Sequence, residues 1–278
     1  MPTPLGNLRD ITLRALDVLR ACALVVAEDT RVARRLLTAH GIAGKRVLGY
    51  REQNAANVTA AILARARHEL VAVTSDAGMP GLSDPGRDLL NAARAAGIAV
   101  EVLPGPAAFV CAAALSGFPL EGLTFGGFLP RAHEARANAL QSALESGATH
   151  AWYESPQRIV ATLETLHKLD PGATVFVGRE LTKLHEQQIL GTSAQTLAAL
   201  ERPVRGEITL VLGPRDARSS QTAGGDLETA IDAALDAGLS VAAAAKMLAR
   251  ERDENRTELY ARVAERKRER SGKPTTAS

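Results

Sequence analysis

Over its first two hundred residues the chain alternates short Val/Leu-rich runs with stretches of helical period, a pattern that few folds can accommodate. Runs at residues 23–27, 47–50, 71–74 and 98–103 read as strands, with helices at 32–39, 55–68 and 86–96 between them. Gly41 and Gly97 stand where two of those helices must stop. Asp10 reads as the N-cap of an earlier helix that turns Ile11, Leu13, Leu16 and Leu19 inward. Strand–helix–strand repetition of this kind predicts βαβ units and a mainly parallel sheet. A second stretch opens after residues 116–119 (SGFP). It has strands near 123–127, 149–153, 174–178 and 207–212, and helices near 135–145, 156–168 and 194–200.

The fold class expected is therefore α/β, with one domain at 1–117 and a second at 118–214. A polar, Gly/Ser/Thr-rich linker follows at 215–225. Residues 226–270 read as a small all-helical module, with helices at 227–237, 241–250 and 255–268 and Ser240 capping the middle one. Residues 271–278 read as a disordered tail.

Composition excludes more than it proves. Hydrophobic residues make up 46% of the chain but aromatics only 3%, so the cores must be Ala, Leu and Val. No apolar run approaches the roughly 18 residues of a membrane span, and the N-terminus lacks the layout of a signal peptide. Cys22 and Cys111 lie among apolar neighbours and read as reduced, buried thiols. A cytoplasmic protein fits these features. A net charge of +2 does not announce a nucleic-acid ligand, but residues 246–273 carry ten Lys/Arg against six Asp/Glu. That basic end suits phosphate, or is a solvated helix face. There is no GxGxxG and no GxSxG, and Lys45 in the run at 41–45 (GIAGK) is followed by Arg46, which spoils a phosphate loop. The six histidines show no metal-ligand pairing, so no metal is expected.

Ligands of open α/β sheets sit where strands run into helices, and three such loops are unusual here. Residues 75–86 (SDAGMPGLSDPG) follow a strand directly. Their glycines admit close approach, and Asp76 and Asp84 suit ligand hydroxyl or ammonium groups, although Asp84 also reads as a helix cap before Pro85. Residues 103–108 (LPGPAA) place small residues at a helix start. Glu28, Asp29 and Arg31 end another strand, where they cap a helix or face a cleft. In the second stretch Glu154 and Arg158 stand one helical turn apart at a helix entry. Glu180, Lys183 and Glu186 have the spacing to share a helical face.

Taken in order, these segments resemble the ribosomal RNA small subunit methyltransferase I family. The matching runs are 4–8 (PLGNL) with 10–12, 27–31 (AEDTR), the 75–86 loop, 104–106 (PGP) and 127–130 (GFLP). They continue through 153–156 (YESP), 179–183 (RELTK) and Gly206-Glu207, and more weakly to Glu258-Leu259-Tyr260. The resemblance implies two α/β domains of the tetrapyrrole-methylase type with S-adenosylmethionine in the cleft between them. It further implies transfer of the methyl group to a cytidine ribose 2′-hydroxyl of 16S rRNA within the 30S subunit, by a homodimer. The implied cofactor residues are Pro4, Gly6, Asp76, Ala77, Gly78, Pro80, Asp84, Gly105, Pro106, Ala107, Ala108, Phe128 and Tyr153. Catalysis is expected from Glu28, Glu180 or Lys183, and substrate contacts from Asp29, Arg31, Glu154, Arg158 and Arg179. The terminal helices are expected to contact RNA or the ribosome.

The chain departs from the family pattern in several places. Only Met1, Pro2 and Thr3 precede the Pro4–Gly6 loop, where the family has a full strand, so exposed strand edges and apolar surface are expected. Gln53 and Gln157 stand where His is usual, Ala107 where Ser is, and Met79 where Thr is. Two other activities compete with rRNA methylation: methylation of a tetrapyrrole on the same fold, and a non-catalytic role in ribosome assembly.

Overall fold

The computed structural model describes residues 1–82, 86–215, 227–252 and 255–270. The linker and tail read from composition, and Asp84 with Pro85, lie outside the described residues.

β1 (Leu24–Ala27) is the middle strand of a three-stranded parallel sheet, flanked by β2 (Arg46–Gly49) and β3 (Val71–Thr74). It is apolar at every position because both of its faces are covered. Val25 joins a core with Leu19, Leu36 and Leu37, while Leu24 and Val26 pack with Tyr50, Ile62 and Leu89 on the other side. The first face belongs to α1 (Leu13–Ala21) and α2 (Thr30–Ala39), the second to α3 (Ala55–Ala66) and α4 (Gly86–Ala95).

Two expectations fail here. Asp10 does not cap α1; it ends a short 3-10 turn, Leu8–Asp10, and the Thr12 hydroxyl accepts the Ala15 N–H at 3.1 Å instead. With the helix starting at Leu13, its buried stripe falls on Ala15 and Leu19, and Leu13 is exposed. Residues 98–103 do not form a strand. Their apolar composition suits one, but a strand needs a hydrogen-bonded neighbour. β3 pairs only with β1 among the described residues. An apolar groove of about 410 Å³ instead separates the other side of β3 from this run, walled by Val71, Val73, Ile98, Val100 and Leu103. The Met1 amino group enters there and donates to the Val73 carbonyl at 2.6 Å.

The second sheet has five strands in the order β4-β5-β8-β6-β7. They are β4 (Thr124–Phe128), β5 (His150–Glu154), β6 (Thr174–Arg179), β7 (Gln187–Thr192) and β8 (Ile208–Leu212). Only β4 and β5 run parallel; the other pairings are antiparallel. β7 was not expected, because Gln187, Gln188 and Gly191 dilute its apolar signal to Ile189 and Leu190. On one face lie α6 (His133–Ser146), α7 (Ile159–Leu169) and α8 (Ser193–Ala199), over a core that includes Leu140, Leu163, Val175 and Leu210. The other face is covered by α5 (Ala108–Ser116), whose Ala112 packs with Ala151, Phe176 and Val211. The second layer thus begins with α5, before the boundary expected at residues 116–119. Cys111, on α5, is half-buried rather than fully enclosed.

Beyond residue 226 a separate compact unit is formed by α9 (Leu227–Asp236), α10 (Val241–Arg252) and α11 (Arg256–Arg270). Ile231, Ala244, Leu248, Leu259 and Val263 make its core. Ser240 caps α10, its hydroxyl accepting the Ala243 N–H at 3.2 Å. No helix among the described residues is long and apolar enough to cross a membrane.

Candidate functional site

A cavity of about 450 Å³ lies between the carboxyl ends of the first sheet and one end of strands β4, β5 and β8 of the second. That volume falls within the roughly 300–1,000 Å³ of small-molecule sites. Its first wall is the loop after β3. There the Ser75 hydroxyl donates to the Gly78 carbonyl at 3.0 Å, and Gly78 exchanges both backbone hydrogen bonds with Thr3, at 2.9 and 3.0 Å. Gly78 has φ +74°, and a β-carbon there would meet Leu5 Cδ2 at 3.1 Å. Glycine is needed both for the left-handed backbone and for the close approach of the N-terminal segment.

Asp76, Ala77, Gly78, Ala108, Phe128 and Tyr153 line the cavity. Pro4, Gly6, Pro80, Gly105, Pro106 and Ala107 do not; several of them brace the residues that do. A β-carbon on Gly105 would strike Pro2 Cγ at 2.3 Å, one on Gly78 would lie 3.4 Å from the Pro106 carbonyl oxygen, and Pro80 borders the groove beside β3. The second wall is aromatic. Tyr153 packs edge-on to Phe128 and Phe125, with centroids 5.5 and 5.0 Å away, and burial pushes its phenol pKa up, so it stays neutral. Met79, Glu207 and Thr209 also line the cavity, whereas Gln53 and Gln157 are exposed and do not.

Among the acids and bases expected to do chemistry, Glu28 lines the cavity. Asp29 does not face it. Its carboxylate caps α2, accepting the Arg31 N–H at 2.8 Å, and pairs with the guanidinium groups of Arg31 at 2.5 Å and Arg51 at 3.4 Å. Hydrogen bonds from Arg31 hold that carboxyl well below the usual range. Of its two readings, cap or cleft residue, the cap is the one built. The neighbouring backbone N–H of Asp29 donates to Asp76 at 2.8 Å, tying two loops of the cavity together. Arg31 itself is largely exposed.

Three expected substrate contacts prove to be engaged elsewhere. Glu154 touches the cavity, but its carboxylate is fully buried and accepts from the Ser155 N–H (2.7 Å), the Thr162 hydroxyl (2.9 Å) and Arg158 (2.5 Å). Arg158 also donates to the Leu129 carbonyl at 3.1 Å. Arg179 is buried, with its guanidinium on Gln187, the Arg205 carbonyl and Glu201. A buried guanidinium whose three nitrogens each donate within the protein holds the sheet end together and is not aimed at a phosphate.

Glu180, Lys183 and Glu186 do not share a helical face. They belong to a turn between β6 and β7 in which Glu180 and Thr182 take positive φ, 52° and 67°. Glu186 folds back to accept the Thr182 N–H at 2.6 Å. Lys183 Nζ donates to Glu180 at 2.7 Å and to Glu207 at 3.1 Å, and Glu180 also accepts the Glu207 N–H at 2.8 Å. Burial opposes the charge on Glu180, but Lys183 and the Glu207 N–H outweigh it and lower the pKa; burial likewise opposes the charge on Lys183, but the Glu180 and Glu207 carboxylates outweigh it and raise that pKa. The pair is a fixed ion pair that reaches the cavity only through Glu207. Sequence reading singled out neither Glu207 nor Thr209 as site residues. Their signals are the Gly206-Glu207 run of the family resemblance and a polar residue on each side of Ile208 in an otherwise apolar strand.

Among the described residues there is no cluster of His, Cys, Asp and Glu able to hold a metal ion. The model of the family described as Tetrapyrrole (Corrin/Porphyrin) Methylases matches residues 2–198. A protein named ribosomal RNA small subunit methyltransferase I from Hydrogenobaculum sp. is 41% identical, covering 76% of this chain and 93% of its own length. One of the same name from Thermotoga maritima is 40% identical over 77% and 96%. The fold is also that of a cobalt precorrin-4 methyltransferase of cobalamin biosynthesis (TM-score 0.59, 18% identity, covering 77% of this chain and 92% of that one). A uroporphyrin-III C-methyl transferase from Thermus thermophilus, solved with S-adenosyl homocysteine, has a TM-score of 0.52 at 18% identity, over 76% and 94%. A chain identical to such relatives at two fifths of the aligned positions, over nearly their whole length and on a tetrapyrrole-methylase fold, belongs to the ribosomal RNA small subunit methyltransferase I family.

Proposed function

We propose that this chain is an S-adenosylmethionine-dependent methyltransferase that methylates the ribose 2′-hydroxyl of a cytidine in 16S rRNA. In this reading it acts on the 30S subunit in the cytoplasm, as a homodimer. The observation that carries the reading is the cavity of about 450 Å³ between the two sheets, in a chain of this family. Its residues fit the cofactor. The close-packed Gly78 keeps the loop wall near the ligand, Asp76 and Ala77 offer polar and small surface, and Tyr153 and Phe128 offer aromatic rings.

When bound, S-adenosylmethionine supplies a methyl group on a sulfonium, already activated for displacement. The protein must bring the hydroxyl oxygen into line with that methyl and accept one proton. A ribose hydroxyl is too weak an acid to ionise freely near neutral pH, so Glu28, the cavity-lining carboxylate among the three expected catalytic residues, is assigned as the base. Glu180 is a poor base while Lys183 holds it charged. The pair therefore acts by fixing Glu207 in the cavity wall. Arg31 is assigned to a backbone phosphate, and the helical unit to RNA or ribosome contact.

The test is transfer of labelled methyl groups to unmethylated 30S subunits, beside free 16S rRNA and a uroporphyrinogen-type tetrapyrrole. Label on one cytidine 2′-oxygen of the subunit is the expected result. Label on the tetrapyrrole alone, or cofactor binding with no transfer to any of the three, would overturn the substrate assignment.

A further inference from the structure

Two sets of cations on α11 contrast; Arg262 and Arg268 belong to neither. Arg266 pairs with Asp232 at 2.7 Å, and Arg270 pairs with Asp232 and Asp236. These join α11 to α9 and are structural. Arg256 and Lys267 make no ion pair among the described residues, and both are exposed. Between them on the same helix stands Tyr260, an aromatic side chain left 48% exposed although Leu259 beside it is buried.

Helical geometry places these three together. At about 100° per residue, Arg256, Tyr260 and Lys267 fall within about 40° of one another, along a stripe roughly 16 Å long. Glu258, Glu265 and Glu269 fall about 180° away, on the opposite side of the helix. The stripe is thus cationic at both ends, aromatic in the middle and clear of carboxylates, whereas a merely solvated face would mix the signs. A single strand matches that layout: phosphates meet the cations and an unstacked base meets the ring. A duplex keeps its bases stacked and offers the ring nothing.

We propose that the Arg256–Tyr260–Lys267 face of α11 binds single-stranded RNA, with one base stacked on Tyr260 and phosphates at Arg256 and Lys267. The proposal rests on the reading above that the helical unit meets RNA, and it names the surface and the form of RNA. The test uses the full chain and a labelled single-stranded RNA of about a dozen nucleotides, with a duplex of the same length as competitor. Tyr260→Ala should weaken binding about tenfold and Tyr260→Phe less than twofold, since the ring is what stacks. Arg256→Gln with Lys267→Gln should flatten the logarithmic salt dependence by about 1.4, for two phosphates of a single strand. Circular dichroism should show the helices intact in each variant.

Binding within twofold of the parent in Tyr260→Ala, or equal competition by duplex, would overturn the proposal. So would variants that keep the oligonucleotide but lose the 30S subunit, because the face would then meet a protein. Methyl transfer measured in parallel separates the two readings. A parent that methylates subunits while Tyr260→Ala still binds RNA sinks this surface alone. A parent that methylates nothing, yet needs Tyr260 for RNA, sinks only the assigned reaction.

Discussion

The stem of Lys183 fills the space that a side chain on Gly6 would need: a β-carbon built on Gly6 would lie 2.1 Å from Lys183 Cγ. The Asn7 N–H donates to the Thr182 hydroxyl at 3.2 Å, so the N-terminal loop and the turn after β6 interlock across the site. Gly6→Ala should displace the lysine from Glu180 and Glu207. The expected cost is about 1–3 kcal/mol, typical of overpacking, with at least a tenfold loss of methyl transfer. Thermal unfolding and a single-turnover rate would show both; a rate within twofold of the parent would mean that the interlock does not serve the reaction.

Lys183→Met should destabilise the protein by about 1–2 kcal/mol, a value reduced because the pair is partly open to solvent. The pH dependence follows from the two shifts. The pKa of Glu180 is lowered, so its contribution is present above the ordinary carboxylate value and is lost as pH falls through its folded value. That of Lys183 is raised, so its contribution is present below the ordinary ammonium value and is lost as pH rises through its folded value. Between about pH 5 and 10 the difference in stability between parent and variant should therefore be flat. A difference that changes by more than about 1 kcal/mol across pH 6–8 would contradict the fixed pair.

Glu28→Gln should lower the rate of methyl transfer by about 10²–10⁴, the usual contribution of a general base. It should leave S-adenosylmethionine affinity within about threefold, by calorimetry. A near-parental rate would pass the role of base to another group, with Glu207 the next cavity carboxylate to substitute.

Glu154→Ala removes the acceptor of the Ser155 N–H, the Thr162 hydroxyl and Arg158 together. A buried donor left without its partner costs about 1–3 kcal/mol, so a total loss of about 3 kcal/mol is expected. For a chain of this size that lowers Tm by about 6–12 °C. If instead the variant keeps its Tm and loses only RNA affinity, Glu154 is a substrate contact after all.

Much of this protein was readable before its structure. β1 and β3 are apolar runs bounded by turn residues, and α2 carries its stop signal in Gly41, all local features that survive into the fold. The loop after β3 was readable for the same reason: glycine and aspartate in that density have few other uses. What the sequence alone did not determine is which groups remain available once the chain is packed. Asp29, Glu154 and Arg179 each carry the charge that a substrate contact needs, yet each is taken inside the protein: Asp29 by Arg51 as well as its neighbour Arg31, Glu154 by Arg158 and Thr162 at the start of α7, and Arg179 by Glu201. Residues 98–103 have a strand's composition but no neighbour to pair with, and Glu180 and Lys183 meet through left-handed backbone that no periodicity reveals. Secondary structure follows from near neighbours along the chain. The pairing of a strand, and the occupancy of Arg179 by Glu201 and of Asp29 by Arg51, depend on residues far away in sequence, so only the tertiary structure decided them.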